Sequence, residues 1–185
     1  MAVYIEGKKL KAMERKVKVG EVALRFATLV LGVSAAALME TNSEVKEIVS
    51  IQTKAKFTDM KILVFLVIAN GLAAAYSLVQ LVRCLTCMLH GTMLHSKAVA
   101  WAIFISDQVM AYITLAAIAA TAQAAVFAEY GQPEFQWMKA CNIFTRFCFQ
   151  SGEGATMALL VSMASICLSG ISAFNLFRLY DCSFI

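Results

Sequence analysis

Residues 98–128, AVAWAIFISDQVMAYITLAAIAATAQAAVFA, form a 31-residue run whose only formally charged side chain is Asp107. A run longer than about 18 apolar residues reads as a membrane-crossing helix, because in hydrocarbon the backbone must satisfy its own hydrogen bonds. The acid inside it needs an explanation. At a bilayer centre a carboxylate costs roughly 2.5–3.5 kcal/mol on insertion scales, so it normally turns to the bundle interior and takes a partner. Arg25 is the one charge within the first apolar segment. Arg25 and Asp107 are therefore expected to form an intramembrane ion pair.

The rest of the composition agrees with a membrane protein. The chain has 185 residues, 61% of them hydrophobic, and a mean hydropathy of +0.73, which is too apolar for a soluble domain and enough for one membrane domain. With a single proline and few Ser/Gly-rich stretches, nothing reads as a linker to a second module. The net charge of +4 comes from lysines beside a membrane segment, without the interleaved aromatics of a nucleic-acid surface, so no nucleic acid is expected as a partner. The chain opens on a charged stretch and its first apolar run contains an arginine. That run is expected to be kept as an anchor rather than cleaved as a signal peptide.

Read in order, residues 1–21 form a basic N-terminus, expected in the cytosol and able to touch anionic lipid head groups. The membrane domain spans residues 22–178, with crossings at about 22–39, 62–82, 98–128 and 155–177, and residues 179–185 are a short cytosolic tail. The expected fold is an all-α membrane protein, a bundle of four transmembrane helices with both termini cytosolic. In the first span Arg25, Thr28, Gly32 and Ala36 recur at helical spacing, and small residues on such a face allow close backbone approach. Ala111, Ala116, Ala117, Ala119 and Ala120 suggest the same for the third span. Ala158, Ser162, Ser165, Ser169 and Ser172 form a stripe on the fourth. Asn70 and Ser77 share a face of the second and are expected to bond between helices. Between the first two spans, Glu40–Lys61 reads as an outer loop with strand character in its Val/Ile/Thr-rich middle. Residues 129–153 form a second outer loop.

Lysine and arginine counts set the orientation. The N-terminus, the second loop and the tail carry nine against six in the first and third loops, a bias toward cytosolic termini. Depth is the difficulty for the ion pair. Counted from the inner ends of their spans, Asp107 lies about 15 Å past Lys97 and Arg25 only about 6 Å past Glu21. If Trp101 marks the interfacial belt, Asp107 is about 9 Å deep and within reach of an arginine. The alternative is an Arg25 that snorkels to the cytosolic interface. A transport role for the charges is the competing functional reading.

Cys141 and Cys148 fall in the second outer loop, where disulfides persist. On a straight helix residues seven apart are about 10 Å apart, too far for a disulfide, so a bond requires CNIFTRFC to turn back on itself. Cys84 and Cys87, with His90 and His95 nearby, admit three readings: a weak metal-like cluster, reversible acylation, or apolar residues at the interface. The last is preferred, so no metal ligand and no cofactor site is assigned. GxSxG, HExxH and phosphate-binding glycine loops are missing, and the chain reads as a protein that is not an enzyme.

The segments LRFATLVLGVSAAALM with Arg25, SDQVMAYITLAAIAATA with Asp107, WMKACNIFTRFC with Trp137, Cys141 and Cys148, and FTDMKILVFLVIANGLAAAYSLVQ together resemble the plant Casparian strip membrane domain protein-like (CASP-like) family. That family is related to the four-span MARVEL-type proteins. The resemblance covers nearly the whole chain, and the family's first-helix arginine and third-helix aspartate map onto Arg25 and Asp107. It implies a multi-pass plasma-membrane protein that forms homodimers, heterodimers or higher oligomers with related members, builds membrane platforms and recruits cell-wall-modifying enzymes. Glu40–Lys61 departs from the first outer loop of the strip-building members. The expected function is a non-enzymatic scaffold, with Trp137 and the Cys141–Cys148 loop as an outer contact surface. The alternative is a small channel or transporter lined by Asn70, Asp107 and Ser165.

Overall fold

The computed structural model describes residues 2–48, 51–56, 58, 60–90, 97–131 and 139–181. In chain order these form α1 (Ala2–Glu40), β1 (Ser43–Ile48), β2 (Ile51–Lys56), α2 (Lys61–His90), α3 (Lys97–Tyr130), α4 (Ala140–Ile143) and α5 (Thr145–Asp181). Four of the helices, α1, α2, α3 and α5, are long and apolar enough to cross a membrane, as the sequence predicts. Trp137, His95 and residues 182–185 lie outside the described residues.

The helices run past the apolar segments read from the sequence. No proline interrupts residues 2–21, where lysine and glutamate, both good helix formers, are the commonest residues together with valine. α1 therefore continues unbroken through Glu21. At the other extreme α5 starts at Thr145, inside the stretch expected to be loop, and α2 carries Cys84 and Cys87 on its last turns rather than in a loop. α3 stops at Gly131, whose φ of 70° is the left-handed cap conformation that glycine adopts without strain; its amide donates to the Phe127 carbonyl at 2.9 Å.

Between α1 and α2, β1 and β2 pair antiparallel with Ser43 opposite Lys56 and Ile48 opposite Ile51. The strand character expected of the first loop is thus a two-stranded hairpin. The hairpin marks one end of the bundle, the hairpin end.

The long helices pack in a ring. α1 lies against α2 and α5, and α3 lies against α5 and α2, which leaves α1 and α3 across a diagonal. Their facing stripes follow the 3.6-residue period, with local departures from the expected positions. On α1 the buried series is Arg25, Thr28, Gly32, Ala35 and Met39. Ala35 takes the place expected of Ala36, because two turns of helix advance by about seven residues and the face drifts back. On α5 all five of Ala158, Ser162, Ser165, Ser169 and Ser172 are buried. Only Ala111 and Ala117 of the α3 alanines are buried, while Ala116 and Ala119 face outward. Lipid, being as apolar as alanine, exerts no pressure to hide them.

Gly32 sets how closely α1 approaches α2. A Cβ there would sit 3.1 Å from the Asn70 carbonyl oxygen and 3.2 Å from the Ala74 Cβ. Nearer the hairpin, Met39, Leu63, Leu66, Ala69, Ala117, Ile118, Phe147 and Ala158 form one apolar cluster drawn from all four long helices.

Candidate functional site

Polar residues gather in the half of the bundle away from the hairpin. Arg25 of α1 faces inward and crosses the diagonal to Asp107 of α3. Its Nη1 donates to Asp107 Oδ1 at 2.6 Å and its Nη2 to Oδ2 at 2.8 Å. Arg25 is 1% and Asp107 2% exposed, so snorkelling is not what this arginine does. The planar guanidinium matches the two carboxylate oxygens in a fork, the geometry that makes such pairs both strong and directional. Ser172 of α5 donates to Asp107 Oδ2 as well, giving the carboxylate three donors from two helices.

The depth mismatch counted from the sequence disappears for a simple reason. α1 does not begin at Glu21, so Glu21 marks no membrane boundary; it is 8% exposed and lies inside the bundle. One turn below Arg25, its Oε1 stands 3.7 Å from Arg25 Nη2 and 3.9 Å from Arg83 Nη2. Arg25 Cζ also lies 5.3 Å from the centre of the Tyr76 ring, within cation–π range. From Tyr76 the network continues along α2. Gln80 Nε2 donates to the Tyr76 hydroxyl at 3.0 Å, and Arg83 Nε donates to Gln80 Oε1 at 2.6 Å. Cys84 Sγ lies 3.7 Å from Glu21 Oε1, and on the α3–α5 side Ser169 donates to Gln108 Oε1.

The result is a cluster of two arginines and two carboxylates, Arg25, Arg83, Glu21 and Asp107, with no net charge. A small cavity of about 10 Å³ beside it is lined by Arg25, Tyr76, Ser77, Asp107, Met110 and Ser165, among others. That is room for a single water molecule. Sequence reading missed Glu21, Tyr76, Gln80 and Arg83. The signal was there: Glu21 is four residues before Arg25, and Gln80 and Cys84 continue the helical spacing of the Asn70/Ser77 face.

Towards the hairpin the polar side chains turn to their own helices. Asn70 Nδ2 donates to the Leu66 carbonyl, Ser165 Oγ to Val161, Thr114 Oγ1 to Met110 and Thr121 Oγ1 to Ala117. Asn70 thus bonds within α2, whereas the sequence suggests a bond to another helix. In hydrocarbon the i−4 carbonyl is the nearest acceptor available to a short polar side chain.

At the hairpin end Cys141 of α4 is bonded to Cys148 of α5, with their Cα atoms 5.5 Å apart. Helical conformation lapses at Phe144 between α4 and α5, which is the reversal that a seven-residue spacing demands. Two polar residues tie α1 to this elbow. Asn42 Nδ2 donates to the Phe147 carbonyl at 3.0 Å and to Ser151 Oγ at 2.8 Å, and Gln150 Nε2 donates to the Leu38 carbonyl at 3.0 Å. At the far end of the bundle Trp101 Nε1 donates to the Tyr180 hydroxyl at 2.9 Å, and Lys97 Nζ lies 5.1 Å from that ring's centre. These amphipathic side chains suit a membrane interface.

Comparison with known proteins gives a consistent answer. The family described as "Casparian strip membrane protein domain" matches residues 14–165. CASP-like protein 2B1 of Vitis vinifera is 59% identical over 174 residues, covering 94% of this chain and 86% of that protein. CASP-like protein 2B1 of Ricinus communis is 60% identical over the same shares, and CASP-like protein 2B2 of Arabidopsis thaliana is 53% identical over 93% of this chain and 86% of its own length. No solved structure matches.

Proposed function

The chain belongs to the Casparian strip membrane protein domain family, and from that premise we propose that this four-span membrane protein is a non-enzymatic scaffold of the plasma membrane. Copies of the chain, and related members of the family, associate laterally into platforms through the lipid-facing surfaces of the bundle. Both termini lie in the cytosol. The hairpin end, with the disulfide elbow, faces outward and offers the surface to which cell-wall-modifying proteins are recruited.

The observation that carries this reading is the closed condition of the charged cluster. Among the described residues the buried charges are paired with one another: Asp107 holds Arg25 and Ser172, and Glu21 lies between Arg25 and Arg83. Asn70 and Ser165, the other polar residues of a channel reading, bond their own helix backbones. Beyond them the apolar cluster around Met39, Leu66 and Ala117 fills the hairpin half. Such an interior supports a rigid protomer better than a conducting one, since an ion crossing it would lose its hydration without protein ligands to replace it.

The test pairs two measurements on the full-length protein. Slow lateral diffusion in the plasma membrane, together with crosslinked oligomers from native membrane, supports the scaffold. Ion flux through purified protein in liposomes, abolished by Asp107→Asn, overturns it in favour of the channel.

A further inference from the structure

The first two turns of α5 are held in place from outside the helix. They precede the sequence Gly152–Glu153–Gly154, and two glycines so close together are poor helix material. Nothing intrinsic to TRFCFQS then requires it to continue the membrane helix. Residues 145–151 are instead attached at three places: the bond from Cys148 back to Cys141, burial of Phe147 in the apolar cluster, and the bonds from Asn42 and to Leu38 across to the end of α1. Phe147, Gln150, Ser151 and Gly154 follow helical spacing and present one face to the end of α1. Met39 fits against Gly154 so tightly that a Cβ there would come within 2.7 Å of its methyl carbon.

The hairpin begins at Ser43, one residue beyond Asn42. Asn42 is 2% exposed although it lies in a turn between helix and strand. Its side chain is therefore a peg seated in α5, and the seat exists only while residues 147–151 are helical.

We propose that the Cys141–Cys148 bond is a thiol-sensitive latch on the outer hairpin. With the bond closed, the first turns of α5 hold Asn42 and the hairpin is fixed to the bundle. An external thiol reductant opens the latch. Two thiols supply two electrons and two protons, the S–S bond becomes two S–H groups, and the reductant leaves as its own disulfide. Residues 145–151 then lose their helical conformation, Asn42 loses its seat, and the hairpin swings free. The charged cluster at the other end of the bundle is untouched. This inference does not depend on the scaffold reading, because its test observes the protein's own conformation.

The experiment is hydrogen exchange on the full-length protein in lipid nanodiscs, oxidised or treated with dithiothreitol, with alkylation proving that both thiols are freed. Amides of residues 43–56 and 145–151 should exchange at least about tenfold faster after reduction, while residues 98–128 keep their protection. Asn42→Ala, with the disulfide intact, should release the hairpin alone. Unchanged hairpin exchange in the reduced protein overturns the latch, as does uniform loss of protection across all four long helices. A hairpin that stays protected in Asn42→Ala overturns the route through Asn42. Cys141→Ser should reproduce the reduced state, and reduction of the wild-type protein serves where that variant does not accumulate.

Discussion

Arg25 and Asp107, 82 residues apart in sequence, meet across the diagonal of the bundle through two parallel hydrogen bonds of 2.6 and 2.8 Å. Their helices share no packed face, so this contact relates two elements that side-chain packing leaves unrelated.

Asp107→Ala strips the buried Arg25 guanidinium of its two short hydrogen bonds, leaving Glu21 at 3.7 Å as its nearest carboxylate, and it should cost about 3–5 kcal/mol of stability. Arg25→Ala should cost a similar amount. The double variant Arg25→Met/Asp107→Leu removes both charges and should recover most of the loss, since apolar residues of similar volume substitute for buried pairs. Unfolding by denaturing detergent in micelles measures all three. Single and double variants that are equally unstable would show that packing, not charge, dominates here.

Gly32→Val should lower stability by about 1–3 kcal/mol through overpacking. Its first added carbon already meets the Asn70 carbonyl oxygen at 3.1 Å, which is backbone and cannot rotate away. Gly71→Ala is the control: nothing lies within 4 Å of a Cβ there, and removing an exposed helical glycine should be neutral or slightly stabilising. Thermal unfolding of the two variants in one detergent separates them.

Liposomes carrying the purified wild-type protein should leak protons and monovalent cations no faster than empty liposomes. Leu66→Ser, placed in the apolar cluster, should not create a path by itself, because Met39 and Ala117 remain fully buried around it. A pH-sensitive dye inside the vesicles reports both.

The disulfide and the thiols on α2 should lie on opposite sides of the membrane. On sealed cells a membrane-impermeant maleimide should label Cys141 and Cys148 only after reduction, and Cys84 and Cys87 only after permeabilisation. Labelling of Cys84 or Cys87 in sealed cells would invert the topology proposed above.

Much of this fold is legible in the sequence because membranes impose composition directly. The apolar runs give the four spans, and Asp107 is conspicuous because a carboxylate in such a run needs a partner, which leads to Arg25. The serine stripe of α5 follows from spacing alone. What escapes is set by continuity and by contact. Glu21 looks like the edge of a cytosolic segment because charge there is dense, yet α1 passes through it and buries it. Residues 145–151 look like loop because their polarity and the following glycines say so; in the structure they are helical and tied to a distant asparagine and a disulfide. Asn42 carries no local signal, since its role depends on a partner more than 100 residues away.

The division of the interior into a charged half and an apolar half means that the two ends of the molecule accept sequence change under different rules. Around Met39 and Leu66, replacements that conserve volume can accumulate one at a time, because dispersion and close packing have no sign and little direction. Around Arg25 and Asp107 a change of charge is tolerated only if a second, complementary change accompanies it. Lineages diverging from a common ancestor are thereby free to remodel one pole gradually, whereas the other can move only by coordinated jumps.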